Sequence, residues 1–488
     1  MIKKGPIQFF NLLFGILILL SVKSVQAQTS KLEHPGGSFM ILCGSNITED
    51  GSTLVAQNHI GSREHPYYLT KYPRTKYDSS ETIQFSNGLK INQSNITQEW
   101  LSLEKGKGSK DSRVIGINEN QVALAGWVSL SHDRNSKARK ADPFVQEGAP
   151  EGIVPVALER ARNAREFVKI LGNFYNQYGI TSAIGIAVAD KKEVWYMETA
   201  GGHHWAAIKI PDDACWIQAN GYRIGQISPN DQNVMASPGL RSFASENGLY
   251  DPESEFFDFA KVFGGRTRQM EQTRYYNTRR LWRAISMLAP SLEIEADQEE
   301  YPLFIRPEEK VTLKQLMAIL RDHYEDTPYH TLVNDSTAEK EQPIASLETV
   351  HSTIIQLTNG LPTNVGAVMW TGMGSPNTTP YIPFYFGISQ VPIPYNKKTR
   401  DDLKAYQVYK KLSDIFYRDP RSYLETFPGV YQGYQEKTLK EQVEIDRGAM
   451  RLYRVDSRMA RHFITVNVES LSQQALDSAT EQLEQMEK

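Results

Sequence analysis

Cysteine is nearly absent from this chain: Cys43 and Cys215 are the only two in 488 residues. That scarcity excludes a disulfide framework and any cysteine-based zinc site. Each cysteine lies inside an apolar run and reads as a buried small hydrophobe, with one bridge between the two as the alternative. An excess of charge is missing as well. Lys and Arg total 54 against 57 Asp and Glu, a formal net charge of −3 with the signs interspersed. No broad basic face for nucleic acid follows from that pattern. Beyond the amino terminus no apolar run approaches the ~20 residues of a comfortable membrane span, and there is no internal repeat or long low-complexity tract.

The amino terminus carries a compartment signal. Lys3 and Lys4 precede an apolar stretch from Phe9 to Leu20, and the small-residue site Val25-Gln26-Ala27 follows. This pattern predicts a secretory signal peptide over residues 1–27, with a retained anchor as the alternative. The mature chain is then expected to begin near Gln28 and to be exported, periplasmic or secreted.

Strand and helix signals are both abundant. "SFMILCG" and "STLVAQN" flank an Asp50-Gly51 turn and predict a hairpin at the head of the mature chain. "SRVIGIN" and "QVALAGWVSL" predict a second hairpin. "SAIGIAVAD", "EVWYMETAGG", "HWAAIKI" and "CWIQANGYRIG" then predict a meander, giving enough antiparallel sheet for two layers. The helical period sets Ala157, Ala161, Ala164, Val168, Leu171 and Tyr175 on one stripe, predicting a single helix that ends at Gly179. "TRRLWRAISMLA", "TLKQLMAILRDHYE" and most of the chain after Lys397 also predict helix, the last as an appendage. The class is α+β.

Several motifs in this order match a known family: "EDGST", "GINENQVALAG", "AREFVKILGNFYNQYG", "EVWYMETAGGHHWAAIKIPDD", "QANGYRIG", "YYNTRRLW", "VMWTGMGSPNTTPYIPFYFGI" and "RHFITVNVESLSQQAL". The whole mature chain resembles the dipeptidase-A-type peptidases, N-terminal-nucleophile hydrolases related to bile-salt hydrolase and penicillin V acylase. The resemblance implies a four-layer αββα sandwich over residues 38–395 with a helical C-terminal extension over 396–488. It implies no metal or organic cofactor, and short peptides, dipeptides first, as substrates.

The departures from that family are as informative. Its nucleophilic cysteine precedes the Asp of the Asp-Gly-Ser turn by twelve residues, a position held here by Ser38. Cys43 falls later in the strand, and alternation points it away from the side of Ser38. Many members carry Arg-Asn-x-Asp after the second strand, whereas this chain reads "QNHI": Gln57 replaces the Arg, Asn58 is kept and Ile60 replaces the Asp. The resemblance implies that Gln57 and Asn58 line the substrate site.

A terminal serine can hydrolyse amides because its own α-amine, with an unperturbed pKa of ~7.7–8.0, is a nearby base. Cleavage of Gly37-Ser38 would create that terminus and discard residues 28–37 as a propeptide. Asn220 in "QANGYRIG" matches the family's oxyanion donor, with a turn residue before Gly221 as the alternative. Arg280 in "YYNTRRLW" matches an Arg near the nucleophile that can bind a peptide carboxylate, with Arg279 as its rival and a solvated helix charge as the plain alternative. His203 and His204, adjacent on a strand, face opposite ways and cannot chelate one metal, and Pro328 breaks the helix that would align His323 with His330. "YIPFYFGI" reads as a prolyl-interrupted core strand, with a pocket wall as the alternative. Two other functions stay open: a catalytically silent peptide- or glycan-binding protein, and an amide acylase.

Overall fold

The computed structural model describes residues 38–486 apart from 62–63, 107–112, 131–132, 229, 255, 266–273, 299, 334–340, 401–403 and 428. The expected signal peptide and propeptide lie outside the described residues.

Two antiparallel sheets form the frame. Their strands in chain order are β1 (Phe39–Cys43), β2 (Thr53–Ile60), β3 (Tyr67–Tyr72), β4 (Trp100–Lys105), β5 (Arg113–Asn118), β6 (Ala123–Ser129), β7 (Ile184–Ala189), β8 (Val194–Gly201), β9 (His204–Ile210), β10 (Cys215–Gln218), β11 (Val234–Ala236), β12 (Thr349–Leu357), β13 (Ala367–Met373) and β14 (Ile382–Tyr385). The six-stranded sheet runs β10-β1-β2-β12-β13-β14 and the eight-stranded sheet β11-β9-β8-β7-β6-β5-β4-β3. The expected first hairpin is β1–β2, with Met40 opposite Gln57. β14 is an edge strand, which is why Pro383 is tolerated in the buried run "YIPFYFGI".

Side-chain alternation sorts the core. Ala123, Ala125, Ala187, Ala189 and Tyr196 share one cluster with Met40, Leu42 and Val55 of the facing sheet. Leu124, Ile186, Val188, Trp195 and Met197, on the other side of the same strands, pack with the helices α1 (Val154–Leu158) and α2 (Ala164–Tyr178). Burying Phe167, Val168 and Leu171 of α2 contributes roughly 1.5–3 kcal/mol apiece. The sheets are also tied by hydrogen bonds, from Thr53 Oγ1 to the Asp190 carbonyl and from Gln57 Nε2 to the Trp127 carbonyl.

The single helix expected to end at Gly179 is broken in two, although its end falls where expected. Asn118 donates its side-chain amide to the carbonyls of Leu158 and Ala161, capturing groups that a continuing helix would use. Asn163 then caps α2 by accepting from the Glu166 N–H, and Glu166 Oε2 accepts from the Arg162 N–H. The stripe of apolar positions survives the break because both pieces bury the same side.

The outer face of the six-stranded sheet is covered by α3 (Arg279–Leu288), α4 (Leu313–Leu320) and the C-terminal helices α5 (Ala405–Arg418), α6 (Pro420–Thr426), α7 (Gln432–Tyr453) and α8 (Ser457–Met486). Tyr409, Leu412, Phe416, Ile445, Ile464, Val468 and Leu471 belong to the same apolar cluster as β13 and β14. Tyr385 donates to Asp446, and Gln435 brackets Tyr381 through both its backbone N–H and its carbonyl. The C-terminal helices are thus part of the packing that buries the sheet.

Cys43 and Cys215 lie directly opposite one another on β1 and β10, both buried and both free. A thiol reagent is therefore expected to find no reactive cysteine in the native protein and two after denaturation without reductant. Zero thiols in the denatured protein would mean that the strands are bridged.

Candidate active site

Four strands of the six-stranded sheet carry the site residues at one level. Ser38 immediately precedes β1, and its Oγ lies 3.0 Å from Nδ1 of His59 on β2. His59 pairs in turn with His351 of β12, and the two rings stack at 4.9 Å with an interplanar angle of 21°. On the other side, the β1–β10 register sets Met40 opposite Gln218. Continued two residues past the strand ends, that register brings Asn220 beside Ser38. One row therefore reads Asn220, Ser38, His59, His351. Ser38 is buried and His59 half-buried.

The two "QNHI" residues expected to line the substrate site part company. Gln57 faces the second sheet, against Gly126, where an added Cβ would come within 2.2 Å of Gln57 Oε1; that oxygen is buried without a hydrogen-bond partner. Asn58, one residue on, points to the opposite face. Its amide donates to the carbonyls of Leu320 and Ile344 at 2.8 Å each, and its Oδ1 accepts from Ser352. Alternation along β2 places Asn58 in the attachment of α4 and not beside Ser38, a correction to the sequence expectation.

The segment after β10 is pinned by one buried and one half-buried carboxylate. Glu198 accepts from the Arg223 and Ile224 N–H groups, and Asp133 accepts from the Tyr222 N–H. Burial pushes the Glu198 carboxyl up to about 8, against the pull of those two backbone donors and Arg223. Asn220 Nδ2 donates to the Tyr276 carbonyl at 3.3 Å. An amide NH2 carries two donors, so the second remains for another acceptor.

Arg280 donates to the same Tyr276 carbonyl, so the structure brings Asn220 and Arg280 together on one turn. Arg280 is fully buried, which pushes its guanidinium down to about 10. Its rival Arg279 is engaged by Glu341 at 3.1 Å and Asp297 at 3.0 Å and stacks on Tyr329. Neither arginine is a solvated helix charge.

His59 and His351 were not legible as site residues, because the family motif leaves the position of His59 variable. The available signal was alternation: His59 shares a strand face with Gln57. Tyr67 of β3 completes the group, its ring 5.2 Å from His351 and its hydroxyl buried without a hydrogen-bond partner. Three further histidines have structural partners. His204 pairs with Asp142 at 3.0 Å, His203 meets the Tyr175 carbonyl, and His323 is enclosed beside Arg321 and Asn377.

A family model described as peptidase family C69 matches residues 39–419, most of the chain. The chain belongs to peptidase family C69. Among curated relatives, a probable dipeptidase of Latilactobacillus sakei is 32% identical over 363 residues, covering 73% of this chain and 75% of the relative. A probable dipeptidase of Salmonella dublin is 29% identical, covering 71% and 80%. Dipeptidase A of Lactobacillus helveticus is 25% identical over 403 residues, covering 77% and 84%. This C69 chain is thus a peptidase by family, and its match begins one residue after Ser38.

Because the folded-state pKa of Glu198 lies above its unfolded value, the folded protein binds the extra proton between about pH 4.5 and 8. Stability is therefore expected to fall as pH rises through that window. Glu198→Gln should flatten this dependence, measured as a smaller drop in Tm between pH 5 and pH 9 than in the parent protein.

Proposed function

We propose that this C69 peptidase is an exported dipeptidase whose nucleophile is Ser38, exposed as the chain terminus by cleavage of Gly37-Ser38. The observation that carries the reading is the position of Ser38, at the head of an interior strand of the six-stranded sheet with its Oγ already hydrogen-bonded and Asn220 alongside. The two sheets with helices on their outer sides support the four-layer αββα arrangement of N-terminal-nucleophile hydrolases. The dipeptidase names of the relatives support dipeptides as the substrate class.

In this scheme Ser38 Oγ attacks the peptide carbonyl carbon, and the free donor of Asn220 meets the oxyanion that develops. Loss of such a donor costs about 10²–10³ in rate in other hydrolases. Arg280 holds the Tyr276 turn from within, keeping Asn220 in place, and its depth suits a supporting part better than an open clamp for the substrate carboxylate. Export rests on the amino-terminal pattern of residues 1–27.

Intact-mass measurement of the secreted protein, paired with dipeptide turnover, tests the scheme. A chain beginning at Ser38 and cleaving dipeptides is expected. Ser38→Ala should keep the preceding residues and lose turnover by at least about 10³-fold, while Ser38→Cys should retain it, since thiol is the better nucleophile. A chain that begins near Gln28 and cleaves nothing would instead favour a binding protein on a hydrolase scaffold.

A further inference from the structure

We infer that His59 is the catalytic base of Ser38, taking its hydroxyl proton directly through the Ser38 Oγ–His59 Nδ1 contact. The inference rests on Ser38 being the nucleophile. Four observations carry it, beginning with the contact itself at 3.0 Å, within the reach required of a general base.

The second is that the nitrogen of Ser38 in the uncleaved chain is an amide bonded to Gly37, which has no basic lone pair. Before a terminus exists that nitrogen cannot serve as the base, and among the described residues the Ser38 hydroxyl is hydrogen-bonded to His59. The third is that Ile60, the residue after His59, offers no carboxylate to orient a terminal amine.

The fourth is that the imidazole is held as a base would be. It stacks on His351, its register partner, and its far edge lies over Gly61. A Cβ built on Gly61 would lie 3.5 Å from His59 Nε2 and 3.6 Å from the Tyr67 hydroxyl, so these two groups share one small space. The Tyr67 hydroxyl is buried and otherwise without a hydrogen-bond partner, and it suits the Nε2–H that must exist when Nδ1 accepts from Ser38.

Among the described residues, the charged and titratable groups facing His59 are His351 from β12, Lys105 at the end of β4 and Tyr67 from β3, with Tyr406 of α5 behind Tyr67. Burial first and Lys105 second pull His59 down to about 4, and burial with the neighbouring His59 pulls His351 well below the ordinary histidine value. His59 is therefore a neutral acceptor across the range in which a terminal amine, with an ordinary pKa of ~7.7–8.0, is largely protonated.

The step balances without another reagent than water. As Oγ bonds to the carbonyl carbon, its proton passes to Nδ1 and the carbonyl pair moves to oxygen. Collapse of that intermediate breaks the C–N bond, and Nδ1 returns the proton to the departing nitrogen, leaving an ester on Ser38. Water attacks the ester with His59 again accepting the proton, and the second intermediate breaks the C–Oγ bond, Nδ1 returning the proton to Ser38 Oγ as the carboxylic acid leaves. Gly37-Ser38 is the first bond to which this applies.

The test is phosphonylation of Ser38 in the full chain by a small fluorophosphonate, with the modified residue located by peptide mass and rates taken from pH 3.5 to 9. Rapid labelling of Ser38 is expected, with an acid limb near pH 4, and His59→Gln should slow it by about 10²-fold or more. In a Ser38→Cys background labelled with iodoacetamide, His59→Gln should cost much less, because a thiol depends less on a base. Equal labelling rates with and without His59, an acid limb near pH 8, or no labelling at Ser38 would overturn the inference. The pH profile needs no variant, so the test stands even if His59→Gln does not fold. Dipeptide turnover on the same samples separates the two readings. His59-dependent labelling without turnover removes the dipeptidase reading alone, whereas turnover undiminished in His59→Gln removes the base alone.

Discussion

The antiparallel register of four strands is the constraint on which this molecule depends. Met40 opposite Gln57 and Gln218, and His59 opposite His351, are backbone pairings fixed by ladder hydrogen bonds. They alone bring together residues that lie hundreds of positions apart in the chain. A slip of one residue between β1 and β2 would turn Ser38 from His59 towards the layer of Asn58. The register is held by what the strands bury: Met40 and Leu42 inward, Asn58 outward onto the carbonyls of Leu320 and Ile344.

Around that row the protein spends polar groups on backbone. Glu198 and Asp133 between them occupy the N–H groups of Tyr222, Arg223 and Ile224. A buried carboxylate is costly to ionise, as the raised Glu198 value records. The return is a segment whose backbone donors are satisfied without regular sheet, so that Asn220 can leave the strand and still be held. Arg280 acts similarly from the helical side, through the Tyr276 carbonyl.

Much of this was legible in the sequence, for local reasons. Period-two alternation was enough to turn Cys43 away from Ser38, and the structure sets Cys43 against Cys215 instead. The apolar stripe from Ala157 to Tyr175 correctly named a buried face. Its interruption was not legible from hydrophobic period alone, since the cause is Asn118, a residue of a different hairpin reaching across to two carbonyls. The Asn163–Glu166 capping pair was the local sign of it. Asn58 was misplaced because likeness to a motif conveys which residue is kept and not which way it faces. His59 was passed over for the converse reason: its significance comes from Ser38 and His351, two strands that meet it only in the folded chain.

The pairing of β2 with β12 also bears on time. Ser352 donates to Asn58 across 294 residues of sequence, and the outer face of that sheet is closed in part by helices made after β12. Contacts of such separation form late, because the intervening chain must be ordered first. The hairpin holding Ser38 and His59 can assemble early, but its sheet acquires the His351 side only when most of the polypeptide exists. A nascent or fragmentary chain thus carries the hydroxyl without the completed row beside it, and the row is whole only in the finished fold.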